Sequence, residues 1–285
     1  MKNHVSPRPP YSGGAQLVYD CKSWSCCPSP GALTPTADIA EMLACLYWVS
    51  QVGDIKQVTE LVNGGSPFDV RLFGPIDADV KGVVDKAVRF RAALAEHLAF
   101  WVSLGSAANI AGGRFACSKP NIQPEDKGPD GVFVRLKRGA RVDRAHVEIH
   151  SVKNSINSPR QLVASGGFRK RGMPKKGKAL DDFRRLSVES FGFVRYDASL
   201  SQVSSQLGLS PADEIRAGLI AGCGYNVIVV ADHAHADVDV FDGYRWLTKL
   251  PARHVGTYVG ATKWSKVSEL TRKSVRKMLK AAGGG

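Results

Sequence analysis

The segment at 224–230, Gly-Tyr-Asn-Val-Ile-Val-Val, constrains the fold more than any other part of this chain. Its last four residues are apolar, and three of the seven are valine, which is typical of a strand that is covered on both faces. Such a strand lies in the middle of a sheet that has helices packed against it. The sequence therefore predicts an α/β protein with a mixed central sheet flanked by helices.

Three stretches carry apolar residues at helical spacing. The first begins where Thr36 or Asp38 can cap a helix and continues through Val49. The second covers about 77–104 and contains Glu96, for which a solvated helix position is the simplest interpretation. The third covers about 265–281, and its basic residues surround a thin apolar seam made of Val267, Leu270, Val275 and Leu279.

Between the second helix and residue 155 the pattern changes to that of strands. Residues 113–117, 131–136 and 145–153 each favour a short strand, and a turn at 126–131 precedes the second of them. The local order is thus one helix followed by three consecutive strands.

The predicted organisation has three parts. Residues 1–36 are rich in Pro, Ser and Gly and should form a loosely ordered, extended N-terminal arm. Residues 37–262 form the α/β domain, and residues 263–285 form a basic C-terminal helix and tail. The chain has no apolar run of 18 residues and its first residues lack the apolar core of a signal peptide, so we expect a cytoplasmic protein without membrane contact. The cysteine cluster at 21–27 has no second ligand pair nearby, which favours reduced thiols over zinc.

Charge indicates the kind of partner. Lys and Arg number 39 against 26 Asp and Glu, a net charge of +13, which favours binding to polyanions such as nucleic acid. The strongest concentration lies at 158–185. Its residues predicted to contact DNA are Arg160, Gln161, Arg169, Lys170, Arg171, Lys175 and Lys176. The alternative is a solvated charged loop unrelated to any ligand.

One constellation suits phosphodiester hydrolysis, which needs a divalent cation and often a lysine that positions water. Asp130 stands just before the strand at 131–136. The next strand reads His146-Val-Glu148-Ile-His150-Ser-Val-Lys153-Asn-Ser155. Side chains two apart on a strand share a face, so an aspartate opening one strand and a lysine on its neighbour can converge.

This segment resembles the PD-(D/E)xK nuclease superfamily, and Ser-Val-Lys-Asn-Ser looks like the lysine strand of type II restriction endonucleases. The resemblance covers roughly residues 90–155, with 224–230 completing the sheet of a restriction-endonuclease-like core. It implies a Mg²⁺ (or Mn²⁺) site held by Asp130, Glu148 and Glu96, with Lys153 as a catalytic residue beside these three. It also implies a type II restriction enzyme that cuts double-stranded DNA as a homodimer, with a possible DNA methyltransferase encoded separately.

One departure from the superfamily pattern concerns the residue two before Lys153, which is Ser151 rather than an acid. Glu148 lies five before Lys153, on the opposite face of a regular strand. A bulge could bring Glu148 round to the lysine; Glu96 could supply the carboxylate; or Glu148 and His150 could form the acid and base pair.

Other interpretations stay open. The protein can be a non-catalytic DNA- or RNA-binding protein that uses the basic 158–185 segment. His233, His235 and Asp237 would share a face, and could hold a metal, if the strand at 224–230 continued through them. The aromatic run at 241–246 fits a base-stacking surface or, more simply, a turn whose aromatics pack into the core.

Overall fold

The computed structural model describes residues 16–20, 25–27, 33–52, 78–108, 114–117, 120, 130–136, 146–160, 223–236, 240–241 and 255–282. The α-helices in these ranges are α1 (Ala37–Val52), α2 (Ala78–Asp85), α3 (Ala87–Ala108) and α4 (Trp264–Ala281). The strands are β1 (Gln16–Asp20), β2 (Ser25–Cys27), β3 (Arg114–Cys117), β4 (Gly131–Leu136), β5 (His146–Ser155), β6 (Cys223–Asp232) and β7 (Val255–Ala261).

The strands form one sheet in the order β2-β1-β7-β6-β5-β4-β3. The three in the middle, β5, β6 and β7, run parallel, and the flanking pairs are antiparallel. Strand β6 lies at the centre, and Val227 to Ala231 within it are completely buried. The predictions of a mixed α/β architecture and of a central strand at 224–230 are confirmed.

All four helices contribute to one apolar core that also includes Ile228, Val230 and Val259 of the sheet. The largest buried side chains of the helices are Trp48, Trp101 and Trp264. Burying an aromatic or large aliphatic side chain stabilises a fold by about 1.5–3 kcal/mol. Since Ile228 and Val230 share a face of β6, the described helices cover that face of the sheet.

The opposite face of β6 and β7 is buried too, and Phe241 is part of its cover. A Cβ atom added to Gly256 would lie 2.8 Å from the Phe241 ring, so only glycine allows this close approach. Phe241 is completely buried. For this residue the core interpretation of the aromatic run is confirmed; residues 244–246 lie outside the described part of the chain.

The helices differ from prediction mainly in where they end. Thr36 caps α1, because its Oγ1 accepts the backbone N–H of Ile39 at 3.3 Å. The stretch predicted as one helix over 77–104 is two helices that break at Lys86. The predicted stop at Gly105 is wrong, since α3 continues to Ala108. A glycine costs a helix interior only about 1 kcal/mol, which a long helix packed on a core can tolerate.

The N-terminal segment is not wholly the loosely ordered arm that the sequence predicts. Strand β1 pairs with β7 along five residues, and β2 pairs with β1. Leu33 is buried, and its N–H donates to the carbonyl of Gly260 at 3.0 Å. Strands this short give no periodic signal, and β7, which pairs with β1, lies more than two hundred residues further along the chain.

The C-terminal helix is not separate from the α/β domain. Trp264, Val267, Val275, Met278 and Leu279 of α4 belong to the same core as α1 and α3. The predicted division at residue 262 therefore does not separate two cores. Of the predicted seam, Val267, Val275 and Leu279 are buried, whereas Leu270 is only partly so.

None of the helices in the described ranges combines the length and apolar character that crossing a lipid bilayer requires.

Candidate active site

Asp130 is held at the start of β4 by the neighbouring strand β5. Its backbone N–H donates to the carbonyl of His150 at 3.2 Å, and its Oδ2 accepts the N–H of Val152 at 2.5 Å. Strand β4 begins at Gly131, opposite His150, whereas β5 continues to Ser155. The pairing of β4 with β5 ends at Gly131 and His150. The Asp130 carboxylate thus accepts a backbone N–H of β5, that of Val152, just beyond the end of this pairing.

Lys153 lies on the face of β5 that is turned away from the helices. His150 and Val152 mark the helical face, because His150 contacts Ser103 of α3 and Val152 packs against the core that the helices share. Alternation along a strand then puts Lys153 on the other face, where it is partly buried. Its partners in register are Val229 of β6 and, through it, Tyr258 of β7.

Burial raises the pKa of the Asp130 carboxyl above its ordinary value. Three groups oppose that shift and favour the carboxylate: the backbone N–H of Val152, the positive charge of Lys153 and the charge of His150. The predicted pair of Asp130 and Lys153 is therefore brought close enough to interact electrostatically. A carboxyl group with a perturbed pKa beside a cation is a common feature of functional sites.

His150 completes the surroundings of Asp130 from the helical side of the sheet. Its side chain is buried, and its Nδ1 lies 3.4 Å from Oγ of Ser103. Gly131 stands directly opposite His150, and a Cβ atom there would lie 3.5 Å from Nδ1. The start of β4 is thus closely packed against His150, and this fixes the backbone from which Asp130 projects.

A bulge that would turn Glu148 toward Lys153 is not present. Strand β5 pairs one-to-one with β6 from Val147 to Ser155, with no extra residue on either strand. Positions 148 and 153 therefore belong to opposite faces and lie about 16 Å apart along the strand. The proposal that a bulge brings Glu148 to Lys153 is therefore wrong, because the regular pairing with β6 keeps β5 free of a bulge.

Glu96 lies in the helical layer, and the expectation that it is solvated is wrong: its side chain is 6% exposed. Burial raises the pKa of the Tyr47 hydroxyl on α1, and the charge of Glu96 raises it further. The structure thus places Glu96 near the interface of α1 and α3. A residue on a long helix can pack against any of several elements, and the sequence alone does not indicate which element lies next to Glu96.

The donor set around Asp130 fits a magnesium ion in part. Mg²⁺ is commonly bound through one or two carboxylates, with water and substrate phosphate completing its shell. A carboxylate that accepts one N–H keeps lone pairs for a cation, and Asp130 would hold the ion in this way. Within the described ranges no three His, Cys, Asp or Glu side chains come together as a metal-binding group. Substrate phosphate and water would have to supply the remaining ligands there.

The second predicted metal site is not formed as the sequence suggested. Strand β6 ends at Asp232, and His233 to His235 form a short 3₁₀ turn with both histidines exposed. The condition that the strand continues is therefore not met, and Asp237 lies outside the described residues. Asp232 accepts the N–H of Trp264 at 2.5 Å, so its carboxylate caps the start of α4.

The basic segment follows the candidate site directly along the chain. Ser155 ends β5, and its Oγ accepts the N–H groups of Asn157 and Ser158 at 3.3 and 3.0 Å. Arg160, two residues further on, is exposed. The other predicted DNA contacts lie outside the described residues: Gln161, Arg169, Lys170, Arg171, Lys175 and Lys176.

A buried network that the sequence did not predict links α1 to α3. Nδ1 of His97 lies 2.5 Å from Oγ of Ser50, and Nε2 lies 2.7 Å from Nε2 of Gln51. Ser50 in turn donates to the carbonyl of Leu46 at 2.7 Å. Every polar atom is satisfied if Gln51 donates to His97 and His97 donates to Ser50. Burial lowers the pKa of His97 to about 3, so the histidine is neutral.

Comparisons of the chain with protein-family models, with curated proteins and with solved structures gave no match.

Proposed function

We propose that this chain is a Mg²⁺-dependent endonuclease of the PD-(D/E)xK type that hydrolyses phosphodiester bonds in double-stranded DNA. The observation that carries the proposal is the position of Asp130 at the start of β4, where its carboxylate accepts the N–H of Val152 on β5, the residue next to Lys153, whose charge favours the carboxylate. A partly buried carboxyl with a lysine on the neighbouring strand is the arrangement that the resemblance to this superfamily implies.

The order of elements also supports the proposal. Helix α3 leads into three antiparallel strands, and the third of them, β5, continues into a parallel pairing with β6. A restriction-endonuclease-like core has this mixed character, with the site at an antiparallel pair of strands and helices on the sheet. The net charge of +13 suits a polyanionic substrate.

The proposed roles follow from the position of each group. A Mg²⁺ ion, when bound, would neutralise charge on the scissile phosphate and lower the pKa of a water molecule. Asp130 would hold the cation, and Lys153 would hydrogen-bond the attacking water and a non-bridging phosphate oxygen. The water oxygen forms a bond to phosphorus while the bond from phosphorus to an ester oxygen breaks; the water gives up a proton to solvent, and the leaving oxygen takes one up from solvent. His150 positions the backbone beneath Asp130.

The wider proposal is a type II restriction enzyme. Such an enzyme acts as a homodimer so that both strands are cut, and a palindromic target would mirror that symmetry. A DNA methyltransferase encoded separately would protect the host DNA. Discrete bands from a digest, rather than a smear, are the result that supports sequence-specific cleavage.

The test is digestion of plasmid and phage DNA by the full chain with Mg²⁺ or Mn²⁺. Lys153→Ala should lower the cleavage rate about 10²–10³-fold, since one group that stabilises the transition state is worth that much. Lys266→Ala is the matched control, because Lys266 is exposed on α4 and loses the same charge. Folded protein that binds duplex DNA but leaves it intact would refute the enzymatic proposal.

A second candidate function is a non-catalytic DNA- or RNA-binding protein. It is favoured by the finding that no three His, Cys, Asp or Glu side chains of the described residues form a group that could hold a metal ion. Removing Lys170 and Arg171 together should weaken binding in either case. Lys153→Ala separates the two candidates: a nuclease loses cleavage and keeps binding, whereas a pure binder changes little.

A further inference from the structure

A strongly basic groove lies between α2 and α4, on the helical layer. We call it the α2–α4 groove. Its volume is about 540 Å³, and it is lined by Lys81, Asp85, Lys273, Arg276, Lys277, Leu279 and Lys280. Five of these residues are cations and one is an acid. The α4 wall of the groove thus carries four cations and no acid, whereas the α2 wall carries one cation and one acid.

The single acid of the groove contacts two arginines of α4. Arg276 donates to Oδ1 of Asp85 at 2.9 Å, and Arg272 donates to the Asp85 carbonyl at 3.3 Å. Both contacts join α4 to the end of α2. Asp85 thus offsets the charge of Arg276, and the lysines of the groove keep the excess of positive charge. An exposed ion pair adds little stability, so the packing of the two helices depends on the apolar core that they share.

The lysines of α4 follow one stripe of the helix. Lys273, Lys277 and Lys280 are exposed and stand four and three residues apart, which places them on the same side. They cover about 10 Å of helix axis at 1.5 Å per residue. A nucleic-acid strand carries one phosphate about every 3.4 Å along its axis. The stripe therefore spans about three phosphate spacings. Lys273 is ion-paired with Glu269 at 2.9 Å, so Lys277 and Lys280 are the lysines of the stripe that we expect to contact phosphates, with Lys81 facing them from α2.

The surroundings of the groove disfavour the other polyanionic partners. Among the described residues Val88 is the one large apolar side chain that is exposed. Membrane-surface helices insert apolar residues beside their basic ones, and protein interfaces use aromatic and apolar anchors. A linear chain of phosphates needs neither, since its affinity comes from charge.

We infer that the α2–α4 groove binds the phosphate backbone of a nucleic acid. Lys81, Lys277 and Lys280 contact the phosphates, with Lys273 and Arg276 adding to the local field. This inference deepens the proposed function and rests on its nucleic-acid partner, but it does not depend on cleavage. The groove belongs to the helical layer, whereas Lys153 lies on the opposite face of the sheet, so the two regions can be tested separately.

The experiment measures binding of a short fluorescent DNA duplex to the full chain, in EDTA so that no cleavage occurs. Lys277→Ala combined with Lys280→Ala removes two charges from the groove. The matched control is Lys263→Ala combined with Lys266→Ala, which removes two exposed charges at the other end of α4. All four lysines are exposed, so both variants should fold, and circular dichroism checks this. Lys277→Arg with Lys280→Arg keeps the charge and should keep the affinity.

The groove variant should bind about tenfold more weakly or worse near physiological salt, and its slope of log K against log salt should fall by about 2. The control should bind within about twofold of the parent chain, because its charges lie outside the phosphate contacts. Equal weakening by both variants, or none in the groove variant, overturns the inference. So does a groove-dependent affinity for anionic lipid vesicles that exceeds the affinity for duplex. If Lys153→Ala loses cleavage while the groove still binds duplex DNA, that result concerns only the enzymatic proposal and not the groove.

Discussion

Helix α3 makes two serine–histidine contacts that differ in what their histidines do. His97 of α3 meets Ser50 of α1 at 2.5 Å, and Ser103 of α3 meets His150 of β5 at 3.4 Å. Both histidines are buried. His97 has partners at both ring nitrogens and a pKa lowered to about 3, whereas His150 lies beside Asp130, whose pKa is raised. A closed network of neutral groups stabilises the fold, whereas a partly buried carboxyl whose charged form is favoured by a neighbouring lysine is available for chemistry.

The two regions should respond to pH in opposite directions, and the larger response belongs to His97. Its folded-state pKa of about 3 lies below the unfolded value of about 6.5. Its contribution to stability is therefore present above pH 6.5 and is lost as pH falls toward 3. The loss should reach about 4–5 kcal/mol at about 1.4 kcal/mol per pH unit. Urea unfolding of the parent chain and of His97→Gln over this range measures it, and equal pH slopes for the two proteins contradict the prediction.

Ser50→Ala and Ser103→Ala compare the strengths of the two serine–histidine contacts of α3. Removing Oγ of Ser50 leaves a buried ring nitrogen of His97 without its partner, which should cost about 1–3 kcal/mol of unfolding free energy. Removing Oγ of Ser103 breaks a long contact of 3.4 Å and should cost less than about 1 kcal/mol. A larger loss of unfolding free energy for Ser103→Ala than for Ser50→Ala would contradict the prediction that the His97 network stabilises the fold more than the His150 contact does.

A divalent cation should stabilise the Asp130 region and leave the His97 region unaffected. At a Ca²⁺ concentration about one hundred times its dissociation constant, the free energy of unfolding should rise by about 2.7 kcal/mol. Asp130→Asn should remove this gain because the amide is a poor cation ligand. Thermal unfolding with and without Ca²⁺ measures the effect. Asp38→Asn, an exposed acid on α1, should keep it; an undiminished gain in Asp130→Asn would place the cation elsewhere.

Without a cation, Asp130 should make the fold less stable as pH rises. Its folded-state pKa is raised, so its contribution is present below an unfolded pKa of about 3.9 and is lost as pH rises through the folded value. The loss can approach 1.4 kcal/mol per pH unit within that window. In EDTA, Asp130→Asn should therefore gain free energy of unfolding relative to the parent chain as pH rises above about 3.9. Parallel curves for the two proteins contradict the assignment.

Sequence patterns were sufficient where the determining interactions are local. Thr36 caps α1, residues 131–136 form β4, and the apolar run at 224–230 is central, because caps, short strands and buried strands each have a composition of their own. The proximity of Asp130 and Lys153 also followed from local structure, since a pair of adjacent strands joins them.

The remaining features depend on contacts between distant parts of the chain. The pairing of β1 with β7 and the contact of Ser50 with His97 leave no trace in short windows of sequence. Glu96 shows the same limit: its helix was predicted, but its burial against α1 was not. The break at Lys86 was missed because apolar spacing continues on both sides of it.

The place of α4 in the fold has a consequence for how the molecule is made. Trp264 and its apolar neighbours on α4 fill the same core as Trp48 of α1, although the two helices are far apart in sequence. During synthesis α1 therefore emerges from the ribosome long before its covering partner exists, and its apolar side chains stay accessible throughout that interval. Folding of the core must await translation past α4, and a nascent chain arrested before residue 264 should require a chaperone to escape aggregation.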